Sequence, residues 1–139
     1  MADEIVRAWL EKVAEDLKTV RNCLYGPEPI VATATYHCQQ AAEKLVKAVL
    51  VHARVHPPKT HDIEKLLKLI DPTHPLADRL RPIAALTPYA WLFRYPAMDP
   101  MDATIGEPSV DQVAAWHDQI AGLKTDFESW MQELPSSAK

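Results

Sequence analysis

Glycine is nearly missing from this chain: Gly26, Gly106 and Gly122 are the only three in 139 residues. Three isolated glycines cannot build the backbone cradle of a P-loop or of a G-x-G-x-x-G turn, and no G-x-S-x-G occurs either. Cysteine is equally scarce. Cys23 and Cys38 lack a C-x-x-C partner and fall in helical patterns, which excludes a disulfide framework and points to packed thiols in a reducing compartment. No apolar run approaches the roughly eighteen residues that a bilayer span needs. The first residues, Met1-Ala-Asp-Glu, are acidic where a signal peptide is basic. The expected location is cytoplasmic. Strand-like alternation of useful length is absent too, so the fold class is all-α.

Helical periodicity fills the chain, and its twelve prolines punctuate it. Helix one carries Ile5, Trp9, Val13, Leu17, Val20 and Leu24 as an apolar stripe and ends at Gly26-Pro27. Helix two runs from about 29 to about 55. Ala34, Cys38, Ala41, Leu45 and Ala48, flanked by Ala42, Val46, Val49 and Ala53, give it a broad apolar arc, as expected of the central helix of a bundle. Pro57-Pro58 is the expected stop. Thr60 caps a short third helix over Ile63, Leu66, Leu67 and Ile70. Thr73 and Pro75 open a fourth whose inner prolines, Pro82 and Pro88, predict a kink or a break. Residues 97–107 read as a loop. Ser109 and Gln112 then cap a long last helix with Val113, Trp116, Ile120, Leu123, Phe127, Trp130 and Leu134 on a narrow seam. These elements form one domain over 1–139, an antiparallel up-and-down bundle of four to five helices with a tail from about 135.

Formal net charge is −4 and the pI is 5.8, whereas a free-standing nucleic-acid binder is usually basic. The charge is uneven. Lys44, Lys47, Arg54, Lys59, Lys65 and Lys68 dominate residues 44–68, while acidic residues dominate the C-terminal segment. Two ordinary solvated faces would account for this, as would an anion-facing patch on helix two.

Helix two has a second, hydrophilic face. Tyr36, Gln40, Glu43, Lys47 and Arg54 fall within about 60° of one another on a regular helix. Together they offer donors, acceptors, both charge signs and an aromatic ring. A solvated face with a Glu43–Lys47 i, i+4 pair explains the same pattern. His52 and His56 have a helical ligand spacing, but no H-E-x-x-H or third ligand accompanies them, so no metal and no cofactor is expected. Cys38 is no partner for His37, because adjacent helical side chains point about 100° apart. Arg94-Tyr95-Pro96 is consistent with a helix end.

The string Ala34-Thr-Tyr-His-Cys-Gln-Gln-Ala-Ala-Glu-Lys-Leu-Val-Lys-Ala48 resembles the helix-two signature of the HEPN domain, the nucleotide-binding domain of higher eukaryotes and prokaryotes, in its stand-alone bacterial and archaeal type. Pro58-Lys-Thr-His-Asp-Ile63 with Leu66-Leu67, and Phe93-Arg-Tyr-Pro96, resemble that family's later motifs, in order. The resemblance implies a helical bundle, usually a homodimer, often encoded beside a minimal nucleotidyltransferase and read as a toxin–antitoxin or nucleotide-handling module. By matching positions it implies polar site residues Gln39, Gln40, Glu43, Lys47, His61 and Arg94, to which the helix-two face adds Tyr36.

Ribonuclease members of the wider superfamily carry an arginine, four to six residues and then a histidine near the start of the last long helix. After Arg94 the next histidine is His117, too far away, and Arg54 with His61 have the spacing but straddle Pro57-Pro58. The expected function is therefore a non-catalytic module binding a nucleotide or a partner nucleotidyltransferase. A metal-independent ribonuclease using Arg54 and His61, and a purely structural dimeric adaptor, are the rivals.

Overall fold

The computed structural model describes residues 2–92 and 106–134. Among them lie α1 (Ala2–Tyr25), α2 (Val31–His52), α3 (Ile63–Leu67), α4 (Ala77–Leu80), a 3₁₀ helix (Arg81–Ala90) and α5 (Val110–Glu133). No strand occurs among the described residues, so the fold is an all-α bundle. None of the described helices is long and apolar enough to cross a membrane.

Helix α2 is the axis. Cys38, Ala41, Ala42, Leu45, Val46, Ala48, Val49 and Leu50 are all buried along it, and α1, α5, α3 and the 3₁₀ helix all pack on it. Its alanines let those neighbours come close, and the broad apolar arc meets several of them at once. Helix α1 is antiparallel to α2: Asp16 pairs with Lys44, while Trp9, further back on α1, meets Lys47, further along α2. Helix α5 is parallel to α2, with its start beside Cys38 and its end beside His52. The short α3, α4 and 3₁₀ elements therefore carry the chain back across the bundle before α5 begins.

Local chemistry moves several helix ends from their expected places. Helix α2 stops before Pro57-Pro58 because Arg54 adopts φ 64°. Its N–H donates to Val51 O and the Val55 N–H donates to Leu50 O, both at 2.9 Å. This is a Schellman closure with arginine where glycine is usual. Asp62, not Thr60, caps α3, accepting from the Lys65 N–H at 3.3 Å, and Thr60 instead accepts from the Asp62 N–H. Helix four is broken as the prolines demand. Four residues of α-helix pass into a 3₁₀ helix containing Pro82 and Pro88, neither of which can donate to a helical ladder. Thr73 and Pro75 lie in a turn that Asp71 closes by accepting from the Thr73 N–H and hydroxyl. Ser109 caps α5 as expected, accepting from the Gln112 N–H at 3.0 Å. On α1, Val6 and Leu10 belong to the core, whereas Ile5 is half exposed.

The last turns of α2 and α5 are locked by rings. His52 packs edge-on against Phe127 and Trp130, with centroids 5.7 and 5.3 Å away, and His74 lies 4.5 Å from Trp130. Burial lowers the pKa of His52, opposed by the negative charge of Asp3. His74 is lowered as well, by burial first and then by His52, against Asp71. Geometry agrees: His74 Nδ1 accepts the Leu76 N–H at 3.1 Å, a bond that protonation there would destroy. Nε2 is buried without a hydrogen-bond partner.

Both histidines therefore protonate less readily in the folded chain than in the unfolded one. Their contribution to stability is intact above the ordinary value of 6.5 and is lost as pH falls below it, through the lowered folded values. Denaturant midpoints measured between about pH 7.5 and 5 should fall with pH. His52→Phe, which keeps a ring in place but cannot titrate, should flatten the profile, and an unchanged slope would refute the assignment.

Candidate functional site

The polar face of α2 is not left to solvent. Gln39 is 0%, Glu43 3% and Lys47 9% exposed. Trp9 of α1 covers one flank, and the segment leading into α3 covers the other. Periodicity could place these residues on one face, but it could not say that other parts of the chain would lie over it.

Burial forces the groups to satisfy one another. Gln39 Nε2 donates to Glu43 Oε1 at 3.2 Å and to the His61 carbonyl at 3.3 Å, while its Oε1 accepts from Gln40 Nε2 at 2.6 Å. Both of its amide hydrogens are thus used. The His61 Nδ1–H also donates to Glu43 Oε1 at 2.8 Å, and Lys47 Nζ donates to Glu43 Oε2 at 3.0 Å. Lys47 Nζ in turn lies 5.7 Å from the centre of the Trp9 ring, a cation–π contact. Gln39, Gln40, Glu43, Lys47 and His61 are therefore one connected network. Helix α2 grips the loop at two points one turn apart: Gln39 holds the backbone of His61 and Glu43 holds its ring.

The network has one conspicuous outlet. The His61 side chain is 67% exposed, and with Nδ1 committed to a buried carboxylate, Nε2 remains for solvent or a ligand. The carboxylate fixes both tautomer and ring orientation, as a histidine that acts on something else requires. Lys47, by contrast, is spent inside the protein on Glu43 and Trp9 and is not a free phosphate-binding cation. Tyr36 is half-buried, its ring edge-on to His37 at 5.3 Å. Arg54 is exposed just beyond α2. Arg94, with the rest of Phe93–Pro96, lies outside the described residues.

A second polar cluster went unread in the sequence. Asp16 is 6% exposed and accepts from His37 at 2.9 Å and from Lys44 at 2.7 Å, tying α1 to α2. A signal was present. Asp16 falls between Val13 and Val20 on the stripe that faces the core, and a carboxylate there must find cationic partners.

The remaining candidates reduce to packing. Cys38 is wholly buried against the Val113 carbonyl, and burial pushes its thiol pKa up to about 12, which leaves no thiolate for chemistry. His52 serves the ring cluster rather than a His52–His56 metal site. Among the described residues no three His, Cys, Asp or Glu side chains converge as a metal would require.

The chain matches no protein of curated function and no solved structure. A model of the HEPN domain does match it, over residues 6–116. That span runs from the first core residue of α1, through the whole helix-two network, into the first turns of α5. The motifs on α2 and around His61, the bundle built about α2 and this match agree: the chain belongs to the HEPN domain family.

Proposed function

We propose that the chain is a HEPN-type binding module which acts as a homodimer and receives a nucleotide, or the minimal nucleotidyltransferase that handles one, at the mouth of the helix-two network. One observation carries this reading: an exposed imidazole held in a single orientation by a buried carboxylate. Ordering a surface side chain has an entropic cost, and packing alone does not require that His61 be presented outward. When protonated, the ring donates from Nε2 to a phosphate oxygen. When neutral, it accepts from a ribose hydroxyl. Gln40 supplies a further donor close by. The family resemblance favours the dimer, the nucleotidyltransferase partner and the toxin–antitoxin setting.

Calorimetry with ATP, GTP and a short RNA, on wild type, His61→Ala and Arg94→Ala, tests the ligand. Weakening by about tenfold or more in His61→Ala is expected for a direct charge-assisted contact. Heats indistinguishable from wild type would remove His61 from the site. Light scattering on the same samples tests the dimer.

The Glu43–His61 pair also keeps a second reading open, in which His61 is a general base for RNA cleavage used together with Arg54. It requires cleavage that survives chelators and vanishes in His61→Ala. Intact RNA after prolonged incubation would dispose of it.

A further inference from the structure

Away from the helix-two network, α1 and α5 enclose an open groove of about 510 Å³. One wall carries Lys18, Arg21 and Asn22, and the other carries His117, Lys124 and Thr125. The gap exists because Ala14 on one helix and Ala121 on the other are too short to fill it. No carboxylate lines this space, although the chain as a whole carries −4.

The state of the cations is more telling than their number. Lys18 and Arg21 lie one turn apart on the same helix face, and neither pairs with any described carboxylate. On the opposite wall Lys124 reaches Glu128 at 3.0 Å and His117 reaches Asp118 at 2.9 Å, so the cations there are partnered by carboxylates outside the lining. Two unpaired cations on one wall of a concavity that no carboxylate lines raise the local concentration of anions. An arginine fork, a lysine on each wall, an amide and a hydroxyl are the donor set that phosphate oxygens match. The volume lies within the ~300–1,000 Å³ usual for small-molecule sites.

We propose that this groove is a second ligand site, independent of the helix-two network, and that it takes the phosphate chain of a small di- or triphosphate. Lys18 and Arg21 hold one side of the chain. Lys124, drawn from Glu128, holds the other, and Asn22 and Thr125 supply neutral donors. Cations on both walls, spread over a full helical turn, suit a chain of phosphates better than a single one.

The test is titration calorimetry of the full chain with tripolyphosphate and with ATP at low salt. Wild type should bind both saturably, and raising salt to about 0.5 M should weaken both. Lys18→Glu/Arg21→Glu should lose at least about tenfold in affinity, whereas Arg7→Glu/Lys12→Glu, with the same charge change on α1 outside the lining, should retain it. All four positions are exposed, so the variants are expected to fold; Lys124→Met offers a milder substitution on the opposite wall and should also weaken binding. Equal affinities for the two probes assign the phosphate chain alone as ligand, and tighter ATP adds the nucleoside. The part of tripolyphosphate binding that Lys18→Glu/Arg21→Glu removes should persist in His61→Ala, which separates this site from the one proposed above. Absence of saturable binding by wild type, or equal losses in the two charge-reversed variants, would overturn the proposal.

Discussion

Replacing Glu43 by alanine should cost about 3–5 kcal/mol of stability, the usual price of breaking a buried ion pair from one side. The carboxylate serves three donors at once, from Gln39, Lys47 and His61. Its removal strands the Lys47 ammonium, 9% exposed, in an interior where only the Trp9 ring remains to meet it. Lys47 can then keep its charge without a partner or give up its proton, and either outcome opposes folding. Gln39 loses one of its two acceptors, and the His61 ring is released. In a domain of this size such a loss lowers the melting temperature by on the order of 10 °C or more. Glu43→Gln, which keeps an acceptor oxygen of the same shape, should cost less. Chemical denaturation followed by far-UV circular dichroism checks both. A Glu43→Ala variant within about 0.5 kcal/mol of wild type, the range of ordinary surface changes, would show that the network is not the buried unit described.

Phe127→Ala should be comparably damaging, at about 3–5 kcal/mol. Phe127 is completely buried and sits beside His52 of α2 and Trp130 of its own helix, with ring centroids 5.7 and 6.1 Å away. Truncation removes the ring that joins the ends of two parallel helices and leaves a cavity that neighbouring rings and branched side chains cannot collapse to fill. The loss should reach beyond stability. Water entering the cavity rehydrates His52, weakening the burial that lowers its pKa. The variant should therefore be less stable at every pH and also less sensitive to acid. Unfolding curves at neutral and mildly acidic pH check both effects, and a Phe127→Ala profile parallel to that of wild type would break the link between ring packing and titration.

The same residues show how much could be read in advance. Strong periodicity made the long helices legible, as did the Ser109 cap and the stop that Pro82 and Pro88 impose on helix four. The short elements were harder. Nothing local announced that Arg54 would adopt a left-handed φ and end α2 ahead of Pro57-Pro58, because arginine has no intrinsic preference for that region. Asp62 displaced Thr60 as the cap of α3, a choice between two competent acceptors that lie two residues apart.

For the site, sequence placed Gln40, Glu43 and Lys47 on one face, and the resemblance added Gln39 and His61. Spacing along a helix reports angle, not cover. Lys47 looked like a cation offered to a ligand, but Trp9, thirty-eight residues earlier, lies over it. Asp16 is one of several charged residues on α1. Its meaning appears only where Lys44 and His37 meet it across the helix interface.

What the order of amino acids determined by itself was local and angular: an all-helical chain, the turns where it breaks, and the stripe on which the polar residues of α2 must fall. Which of those residues stayed in contact with water was decided by tertiary packing, since burial depends on what comes to lie alongside, and that is a property of remote segments. Packing closed α1 over Lys47, brought His61 to Glu43 with its ring still turned outward, and left a groove between α1 and α5 that basic residues line and no carboxylate does.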